Sequence, residues 1–496
     1  MFYPSLKEFI GLTKKGNVIP VYKEINADLD TPVSAFLRLE KKDYAFLFES
    51  VEGQEKIARY SFLGSNPSFV FKSKGKRITL DFPKKNKSRK FITSLTPFDE
   101  IRKIMQPYKP VKVAGLPRFY GGLVGYIGYD SVRFIEEIPD KNPDDLKIED
   151  IILILTDTML IFDHINHTIK IVANVIIPEG KNVPERQKAH IYKKACASIE
   201  KIIRLFQKPF LLKELEKIEG RASAKVISNF KKKEFEGVVS AAKRYIRSGD
   251  IIQAVISQRF KVRAGNPPFD IYRRLRSLNP SPYMFFLKFK SLFLIGSSPE
   301  MLVRAEDGVI QTRPIAGTRP RGKTEEEDKK LEKELLCDRK ERAEHLMLVD
   351  LGRNDLGRVS RTGSVEVAEF MSIERYSHVM HIVSEVRAKL DTGRFDIFDC
   401  LKAAFPAGTV TGSPKVRAME IIDELENIKR GPYAGCVGYF SFSHNMDTCI
   451  TIRTIVISGK FAYIQAGAGI VADSVPESEY FESVNKAKAL IEAITK

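Results

Sequence analysis

The sequence predicts an α+β fold, a two-lobed body in which antiparallel β-sheets pack against peripheral helices. Its 496 residues correspond to roughly three domain-sized units or to one large two-lobed body. Hydrophobic residues make up 43% of the chain and charged residues 29%, as in ordinary soluble proteins and unlike disordered or collagen-like chains. Several strand-like runs follow one another without an intervening helix, which indicates antiparallel pairing and argues against a doubly wound nucleotide-binding fold.

The first half of the chain predicts mostly strands. Its apolar or alternating runs are separated by Gly, Pro and Asn, as is typical of antiparallel sheets. These runs are YAFLFESV, SFVFKS, GGLVGYIGYD, IILILTDTMLIFDH and TIKIVANVII. A charged stretch from about Pro184 to Lys217 then has apolar positions at helical spacing.

A domain boundary is predicted near residue 220. The run LEKIEGRASAKVISN is low in bulky apolar residues, which makes it the best candidate for a boundary. We therefore expect an N-terminal lobe over residues 1–220 and a C-terminal region over residues 221–496, with the chemistry concentrated after residue 245.

The second half alternates predicted strands with strong helices. The strands are IIQAVISQRFKV, YMFFLKF, LFLIGSS, CVGYFSF, TCITIRTIVIS and FAYIQAGAG. The helices are EFEGVVSAAKRYIRSG, TEEEDKKLEKELLCDRKERAEHLMLVDLGRND, FDIFDCLKAAF, SPKVRAMEIIDELENI and ESEYFESVNKAKALIEAIT. In the fourth helix we expect Ser413 to be the cap and Pro414 to take the first helical position. The amides of such a helix start suit an anion, and a well-capped structural helix is the alternative.

The net charge of +18 raises the possibility of a nucleic-acid partner. Nine basic residues and one acidic residue lie between Lys72 and Lys90, in what we predict to be turn-linked short strands with a solvated rim. This stretch lacks the interleaved aromatic residues that stack on bases, and no nucleic-acid-binding motif is visible. We therefore expect no nucleic-acid partner.

No targeting or membrane-spanning segment is visible. The chain starts MFYPSLKEFIGLTKKG, without the charged and apolar regions of a signal peptide, and no run approaches 18 apolar residues. Five scattered cysteines without a C-x-x-C pair argue against a disulfide framework and a thiolate zinc site. We expect a soluble, cytoplasmic protein with reduced thiols and no membrane partner.

Two predicted helices each carry a pair of glutamates three residues apart, which places both carboxylates on one face. The pairs are Glu341 with Glu344 and Glu479 with Glu482. Carboxylate oxygens suit Mg²⁺, which usually takes one or two of them directly and keeps water. Surface salt bridges with nearby arginines and lysines are the alternative.

Two features near the end of the chain suit an anion. Arg453 lies inside the predicted strand TCITIRTIVIS, where an arginine must point outward or pair with a buried anion. Gly467 and Gly469 follow the next strand and allow the backbone to approach a ligand closely. An ordinary loop explains these glycines equally well.

Seven segments of the second half, in order, resemble motifs of the chorismate-utilising enzymes, and specifically of component I of the anthranilate synthases. They are GSSPE (296–300), TRPIAGTRPRG (312–322), ERAEHLMLVDLGRND (341–355), GTVTGSPKVRAM (408–419), GPYAGCVGYF (431–440), DTCITIRT (447–454) and GAGIVADSVPESEYFE (467–482). The resemblance is dense over residues 245–492 and extends more loosely into the N-terminal half. It implies a Mg²⁺-dependent lyase that converts chorismate and ammonia to anthranilate and pyruvate, the first committed step of tryptophan biosynthesis.

The resemblance also implies residue roles. Glu344 and Glu482 would bind Mg²⁺ directly, with Glu341 and Glu479 bound through water, and the metal would hold the ring carboxylate of chorismate. The enolpyruvyl carboxylate would be bound by Tyr433, Arg453 and the backbone around Gly467 and Gly469. The ring would be lined by Ala316, Gly317, Thr318, Thr409, His381 and Lys486.

The catalytic residues implied by the resemblance are Glu300, His381, Thr409 and Gln253. Glu300 would protonate the departing C4 hydroxyl, because hydroxide is a poor leaving group, and His381 would lie near the proton lost when pyruvate is eliminated. Relatives that add water to chorismate carry a lysine base at the position of Gln253, whereas ammonia is already a nucleophile. Aminodeoxychorismate synthases carry a nucleophilic lysine where this chain has Ala316. The two alternatives are another chorismate enzyme, chiefly such a synthase, and a non-catalytic or nucleic-acid-binding protein.

The resemblance includes a regulatory site and a partner. FLFES (46–50) and NPSPYMFF (279–286) resemble elements that bind L-tryptophan and give allosteric feedback inhibition. Glu49 and Ser50 would hold the amine and backbone of the effector, and Pro282, Tyr283 and Met284 would form part of its pocket; ordinary strand packing is the alternative. With no glutaminase triad in the chain, a separate glutamine amidotransferase subunit, component II, is expected to supply ammonia within a heterotetramer.

Overall fold

A computed structural model of the chain describes residues 1–39, 42–50, 59–178, 183–208, 225–376 and 379–495. The described helices are α1 (Leu6–Leu12), α2 (Pro32–Leu39), α3 (Pro97–Met105), α4 (Glu185–Phe206), α5 (Lys232–Arg247), α6 (Pro268–Leu278), α7 (Glu325–Cys337), α8 (Arg339–Gly357), α9 (Ile397–Ala404), α10 (Lys415–Leu425) and α11 (Pro476–Thr495). None of these helices is long and apolar enough to cross a membrane.

The described strands fall on both sides of residue 220. In the first half they are β1 (Val18–Asn26), β2 (Tyr44–Glu49), β3 (Tyr60–Ser65), β4 (Phe69–Lys74), β5 (Arg77–Phe82), β6 (Lys87–Ile92), β7 (Gly122–Ile127), β8 (Ile151–Thr156), β9 (Thr158–Asp163) and β10 (Thr168–Ile176). In the second half they are β11 (Ile227–Ser228), β12 (Gln253–Arg263), β13 (Tyr283–Phe289), β14 (Leu292–Ser298), β15 (Met301–Glu306), β16 (Val309–Thr312), β17 (Ile315–Pro320), β18 (Glu366–Arg375), β19 (Val379–Lys389), β20 (Gly412–Ser413), β21 (Cys436–Ser441), β22 (Met446–Ile450), β23 (Thr454–Ser458) and β24 (Phe461–Ile470).

The strands form two large antiparallel sheets, which confirms the predicted α+β class. The first sheet has the order β1-β10-β9-β3-β2-β13-β14-β23-β24-β12-β11, with β20 paired to β12. The second has the order β17-β19-β16-β15-β22-β21-β7-β8-β4-β5-β6, with β18 paired to β19. Each sheet therefore joins strands from both halves of the sequence. The predicted boundary at residue 220 lies outside the described residues, and the division into two lobes there stays a prediction.

The two sheets face each other across an apolar layer, and helices cover their outer faces. Alternation along β2 shows this directly, because Tyr44 and Phe46 point into the layer between the sheets. Ala45 and Leu47 point the opposite way, into a core shared with α1, α2, α4, α6 and α11. Helices α3, α8, α9 and α10 contribute to the core on the outer face of the second sheet. Successive strand residues point to opposite faces, so each strand contributes to two cores.

Three predicted elements differ from the structure. The long predicted helix divides into α7 and α8 because Asp338 leaves helical geometry and its side chain accepts the amides of Lys340 and Glu341 as an N-cap. Ser413 does not cap α10; it pairs with Gln253 in β20, and Pro414 precedes the first helical residue, Lys415.

The predicted strand around Arg453 is also divided. It splits into β22 and β23, and Arg453 lies in the break with a left-handed φ of 50°. In a continuous strand, successive side chains point to opposite faces, so Arg453 would lie either in the core or on the surface. Because the strand is broken at Arg453, its side chain is not held to either face.

A buried ion pair joins several of these elements. Arg430 and Glu426 have side chains only 2% exposed, and Arg430 Nη2 lies 2.7 Å from Glu426 Oε1. Arg430 also donates to the carbonyl oxygens of Val255 and Val410, each at 2.7 Å. Glu426 accepts from the amide and the hydroxyl of Ser257, both at 2.8 Å. This network attaches β12 to the segment before α10.

We expect Glu426→Gln to lower the free energy of unfolding by about 3–5 kcal/mol, because it leaves the Arg430 guanidinium buried without its counter-charge. Urea unfolding followed by circular dichroism measures the change. The matched control is Glu325→Gln in the exposed i,i+4 pair with Lys329, whose side chains are 83% and 64% exposed; it should cost less than about 1 kcal/mol. Equal losses in the two variants would contradict the assigned role of the buried pair.

Candidate functional site

A cavity of about 590 Å³ lies among the ends of β12, β14, β17, β19 and β24 and the helices α8 and α11. Its size is that of a small-molecule site. It brings together every residue that the sequence assigned to metal, substrate or catalysis. These are Gln253, Glu300, Ala316, Gly317, Thr318, Glu341, Glu344, His381, Thr409, Tyr433, Arg453, Gly467, Gly469, Glu479, Glu482 and Lys486.

The floor of the cavity is formed by the pairing of β12 with β24. Val255 pairs with Gly469 and Ser257 with Gly467. A Cβ on Gly467 would lie 2.6 Å from the backbone carbonyl oxygen of Ile256, so this position requires glycine for close approach of the two strands. A Cβ on Gly469 would lie 2.4 Å from Nε2 of Gln253, so a larger residue there would displace the Gln253 side chain. Gln253 itself donates from Nε2 to Glu344 Oε1 at 3.3 Å, while its Oε1 is buried without a hydrogen-bond partner among the described groups.

Glu300 follows the end of β14 and is 8% exposed. Burial raises its pKa to about 8, and the neighbouring Thr409 hydroxyl opposes part of that rise. The carboxyl group is therefore largely protonated at neutral pH, as a general acid must be. Thr409 Oγ1 is itself buried without a good hydrogen-bond partner among the described groups, so the cavity holds two polar atoms, this one and Oε1 of Gln253, that a ligand can satisfy.

The four glutamates line the wall formed by α8 and α11. Burial raises the pKa of Glu344; the hydrogen bond from Gln253 opposes this, and the Glu341 and Glu482 carboxylates add to it. Burial also raises the pKa of Glu479, with a further contribution from Glu482. The carboxylates therefore repel one another across this wall, which a divalent cation would relieve.

The donor set of this wall fits Mg²⁺, since it consists of hard carboxylate oxygens. Two of the glutamates are paired with cations: Glu482 Oε1 lies 2.5 Å from Lys486 Nζ, and Glu341 Oε1 lies 3.3 Å from Arg319 Nη1. Among the described residues, no three acidic, histidine or cysteine side chains form a ready-made ligand cluster. A magnesium ion here would take one or two glutamates and complete its shell with water and substrate oxygens.

Arg453 is a further cation that lines the cavity. Its Nη1 donates to the Lys486 carbonyl oxygen at 3.3 Å, and burial lowers its pKa, opposed by Tyr433 and Glu482. No described carboxylate lies within ion-pair distance of it. A largely buried guanidinium without a counter-ion suits the carboxylate of a ligand.

His381 lies beside the predicted ring position. Its Nδ1 lies 2.9 Å from Thr318 Oγ1 and 3.2 Å from the carbonyl oxygen of Gly317, and burial lowers its pKa, so the ring is neutral at neutral pH. A carbonyl oxygen can only accept, which favours the proton on Nδ1 and leaves Nε2 able to take one.

A second cavity, of about 60 Å³, lies between the two sheets and contains all five residues assigned to an effector: Glu49, Ser50, Pro282, Tyr283 and Met284. Glu49 is 5% exposed and accepts from Tyr272 Oη at 2.5 Å and Arg276 Nε at 3.2 Å. Burial raises the pKa of Glu49, and Arg276 and Tyr272 oppose that rise.

Sequence reasoning missed several residues of both cavities. Lys340, Gln465 and Ser474 also line the first cavity, and nothing in their local sequence distinguishes them. The second cavity contains Arg304, in contact with Asp447 at 2.8 Å. A charged residue inside the apolar run MLVRAE was the signal that could have identified Arg304.

Comparisons with known proteins identify the family. The sequence model of the chorismate binding enzymes matches residues 43–492. Anthranilate synthase component 1 of Aquifex aeolicus is 52% identical over 99% of this chain and 97% of its own length, and that of Acetivibrio thermocellus is 50% identical over 100% and 99%.

Two solved structures are similar to this chain in fold. Anthranilate synthase component I from Streptococcus pneumoniae is 36% identical with a TM-score of 0.77, over 94% of this chain and 99% of that one. The menaquinone-specific isochorismate synthase from Escherichia coli, at 19% identity and a TM-score of 0.67 over 99% of both chains, shares the fold. The chain therefore belongs to the chorismate-binding enzyme family and groups within it with component 1 of anthranilate synthase.

Proposed function

We propose that this chain is the large subunit of an anthranilate synthase, which converts chorismate and ammonia to anthranilate, pyruvate and water. The observation that carries the proposal is one cavity that is lined by the buried Glu300, whose pKa is raised to about 8, by a wall of glutamates and by Arg453, which has no described counter-ion. Identity of 52% and 50% with proteins named anthranilate synthase component 1 supports it.

The charges of the cavity suit the two carboxylates of chorismate. Arg453, with Tyr433 and the amides near Gly467 and Gly469, receives the enolpyruvyl carboxylate. Glu344 and Glu482 would hold Mg²⁺ directly, and Glu341 and Glu479 would act through water. When bound, Mg²⁺ would neutralise and orient the ring carboxylate.

Catalysis begins at Glu300. As ammonia forms a bond to C2, the C4 hydroxyl leaves and takes the Glu300 proton to become water. The nitrogen, now bound as an ammonium group, gives up one proton, which restores the acid form of Glu300. We assign neutral His381 to the C2 proton, which is lost as the bond to the enolpyruvyl oxygen breaks and the ring becomes aromatic. The methylene carbon of the leaving group gains a proton to give pyruvate. Oε1 of Gln253 and the hydroxyl of Thr409 are available to orient the incoming nucleophile and the ring substituents.

Ala316 and Gln253 favour amination by free ammonia over the related reactions. Ala316 supplies no amine for a covalent intermediate, and Gln253 supplies no base to activate water. A separate glutamine amidotransferase subunit, component II, delivers the ammonia in a heterotetramer. L-Tryptophan binds the second cavity, between Glu49 and the segment around Tyr283, and inhibits the enzyme.

The proposal is tested by anthranilate fluorescence from the purified chain with chorismate, Mg²⁺ and ammonium at mildly alkaline pH. We expect signal with ammonium and none with glutamine alone, because the chain has no glutaminase triad. Chorismate consumed without anthranilate would favour aminodeoxychorismate synthesis, and chorismate left intact would contradict the proposed enzyme.

We expect kcat to fall as pH rises through about 8, because deprotonation of Glu300 removes the general acid. Glu300→Gln should lower kcat by about 10²–10⁴-fold and abolish that limb of the pH profile. Steady-state kinetics from pH 6 to 10 measure both effects. The matched control is Glu366→Gln, at an exposed carboxylate of β18, which should leave the pH profile unchanged. If kcat of Glu300→Gln still falls as pH rises through about 8, another group is responsible.

The glutamate wall predicts a graded loss of metal affinity. Glu341→Gln and Glu479→Gln should weaken Mg²⁺ binding by about 10–100-fold, as expected for groups that act through water. Glu344→Gln and Glu482→Gln should weaken it further, and EDTA should stop the wild-type reaction. Calorimetric Mg²⁺ titration in the presence of anthranilate measures the order; equal losses at all four positions would contradict the division of roles.

The second cavity predicts a separable response to tryptophan. Glu49→Gln removes the carboxylate that would pair with the effector ammonium, a loss of about 1.5–3 kcal/mol for a charged hydrogen bond. The tryptophan concentration for half-inhibition should therefore rise at least about tenfold, while anthranilate formation without tryptophan remains measurable. Unchanged inhibition in this variant would place the effector elsewhere.

A further inference from the structure

Three acidic side chains at the junction of α7 and α8 share one arginine. Glu334 lies in the last turn of α7, Asp338 separates the two helices, and Glu341 lies in the first turn of α8. Arg319, in β17, is their common partner. Its Nε lies 3.1 Å from Glu334 Oε1, its Nη2 lies 2.8 Å from Asp338 Oδ2, and its Nη1 lies 3.3 Å from Glu341 Oε1. The arginine therefore contacts the end of one helix and the start of the next.

The position of Arg319 is fixed by these contacts. Its side chain is 19% exposed, and Nη1 also donates to the carbonyl oxygen of Thr318 at 3.0 Å. A guanidinium holds five N–H donors in one plane, so it can join several carboxylates in a fixed arrangement. Asp338 continues the network, because its Oδ1 accepts the amides of Lys340 and Glu341 that begin α8. Arg319 thus fastens β17 to the first turn of α8.

Glu341 is the member of this acidic group that lines the large cavity. Its two carboxylate oxygens have different surroundings. Oε1 contacts Arg319, whereas Oε2 faces Gly317, where an added Cβ would lie 3.2 Å from it. Gly317 also lines the cavity, so Oε2 lies next to the cavity surface. Arg319 is outside the described lining of the cavity and reaches it through Glu341.

A carboxylate that is already held in place binds a metal or its water better than a mobile one. A free glutamate side chain has many rotamers, and ordering them costs entropy. Groups that hydrogen-bond to metal-binding side chains reduce this cost, and their loss typically weakens metal binding by about 10–100-fold. The positive charge of Arg319 by itself opposes a nearby cation. Any benefit to Mg²⁺ must therefore come from the orientation that Arg319 gives to Glu341.

We propose that Arg319 is a positioning residue for the glutamate wall. It holds Oε1 of Glu341, so that Oε2 is directed to the cavity, where Glu341 would bind Mg²⁺ through water. Arg319 touches neither substrate nor metal and acts through Glu341. The inference rests on the proposed function, which gives Glu341 its part in metal binding.

Arg319→Lys tests the proposal, because lysine keeps the positive charge but cannot hold three carboxylates in one plane. We expect the Kd for Mg²⁺ to rise about tenfold, at the lower end of the range for partners of metal-binding side chains. Calorimetric Mg²⁺ titration of the full chain with anthranilate measures this change without turnover. In steady-state assays the Mg²⁺ concentration for half-maximal rate should rise in parallel, while kcat at saturating Mg²⁺ stays within about threefold of wild type.

Two further variants separate positioning from general structure. When Arg319→Lys is added to Glu341→Gln, the Kd for Mg²⁺ should change by less than about twofold, because both substitutions remove the same contribution. The matched control is Arg321→Lys, just after β17. Arg321 holds α7 through the two oxygens of Asp328, at 2.9 and 3.0 Å, and also donates to the Tyr376 carbonyl oxygen at 2.8 Å. It contacts no member of the glutamate wall in the described part of the chain, so Arg321→Lys should leave Mg²⁺ binding unchanged.

The outcomes distinguish the positioning role from the function itself. Weaker Mg²⁺ binding in Arg319→Lys but not in Arg321→Lys, with no further loss in the double variant, supports the role of Arg319. Unchanged or tighter binding in Arg319→Lys, equal losses in the two lysine variants, or additive losses in the double variant would overturn it. Anthranilate formation by the wild-type chain would still support the proposed function in those cases. Absence of anthranilate from the wild-type chain would overturn the proposed function and this inference together.

Discussion

The buried pair of Arg430 and Glu426 is the interaction on which the geometry of the catalytic cavity depends. Through carbonyl oxygens it holds Val255 in β12 and Val410 next to Thr409, and both valines line the cavity. The guanidinium also lies over the rings of Tyr129, at 4.7 Å, and Tyr433, at 5.5 Å. One fully desolvated charge thus fixes a strand, a loop and an aromatic residue that come from distant parts of the sequence. Such a pair is costly to assemble and costlier to break, which favours a single arrangement of the site.

The two cavities are joined by one short strand. Asp447 in β22 lines the second cavity and pairs with Arg304. Three residues later the amide of Ile450 donates to the Glu300 carbonyl oxygen at 3.0 Å. Tyr283 Oη, from the other sheet, donates to Asp447 Oδ1 at 3.1 Å. A change in the spacing of the sheets at Tyr283 would therefore reach the backbone of Glu300 through covalent and hydrogen-bonded neighbours. Coupling between two sites requires such an element with two arrangements.

Burial gives the cavity its chemistry. A carboxyl at the surface would be ionised at neutral pH, but Glu300 is desolvated and keeps its proton. The same desolvation keeps His381 neutral and leaves Arg453 as a cation that needs an anionic ligand. A protonated carboxyl group, a neutral imidazole and a guanidinium thus coexist within one cavity. Burial acts on all three, and the neighbouring ions and hydrogen bonds differ from one group to the next.

The sequence alone predicted the class of fold and much of the candidate site. Alternating apolar runs indicated antiparallel strands, and both pairs of glutamates could be placed on helix faces, because these patterns depend on the local periods of strand and helix. Motif resemblance then named sixteen residues that share one cavity. The sequence patterns did not reveal the break at Arg453, the division of the long helix at Asp338 or the pairing of Ser413 in β20. Each of these follows from a local hydrogen bond or strand pairing that competes with the periodic pattern.

Tertiary structure alone decided how the halves of the chain combine. Strand β2 pairs with β13 and β7 with β21, so strands far apart in sequence complete each sheet, and no local pattern encodes such partners. The same long-range packing buries Glu300. Residue types and their spacing are properties of the sequence, whereas desolvation and the pKa values that follow from it arise only when distant segments exclude water together.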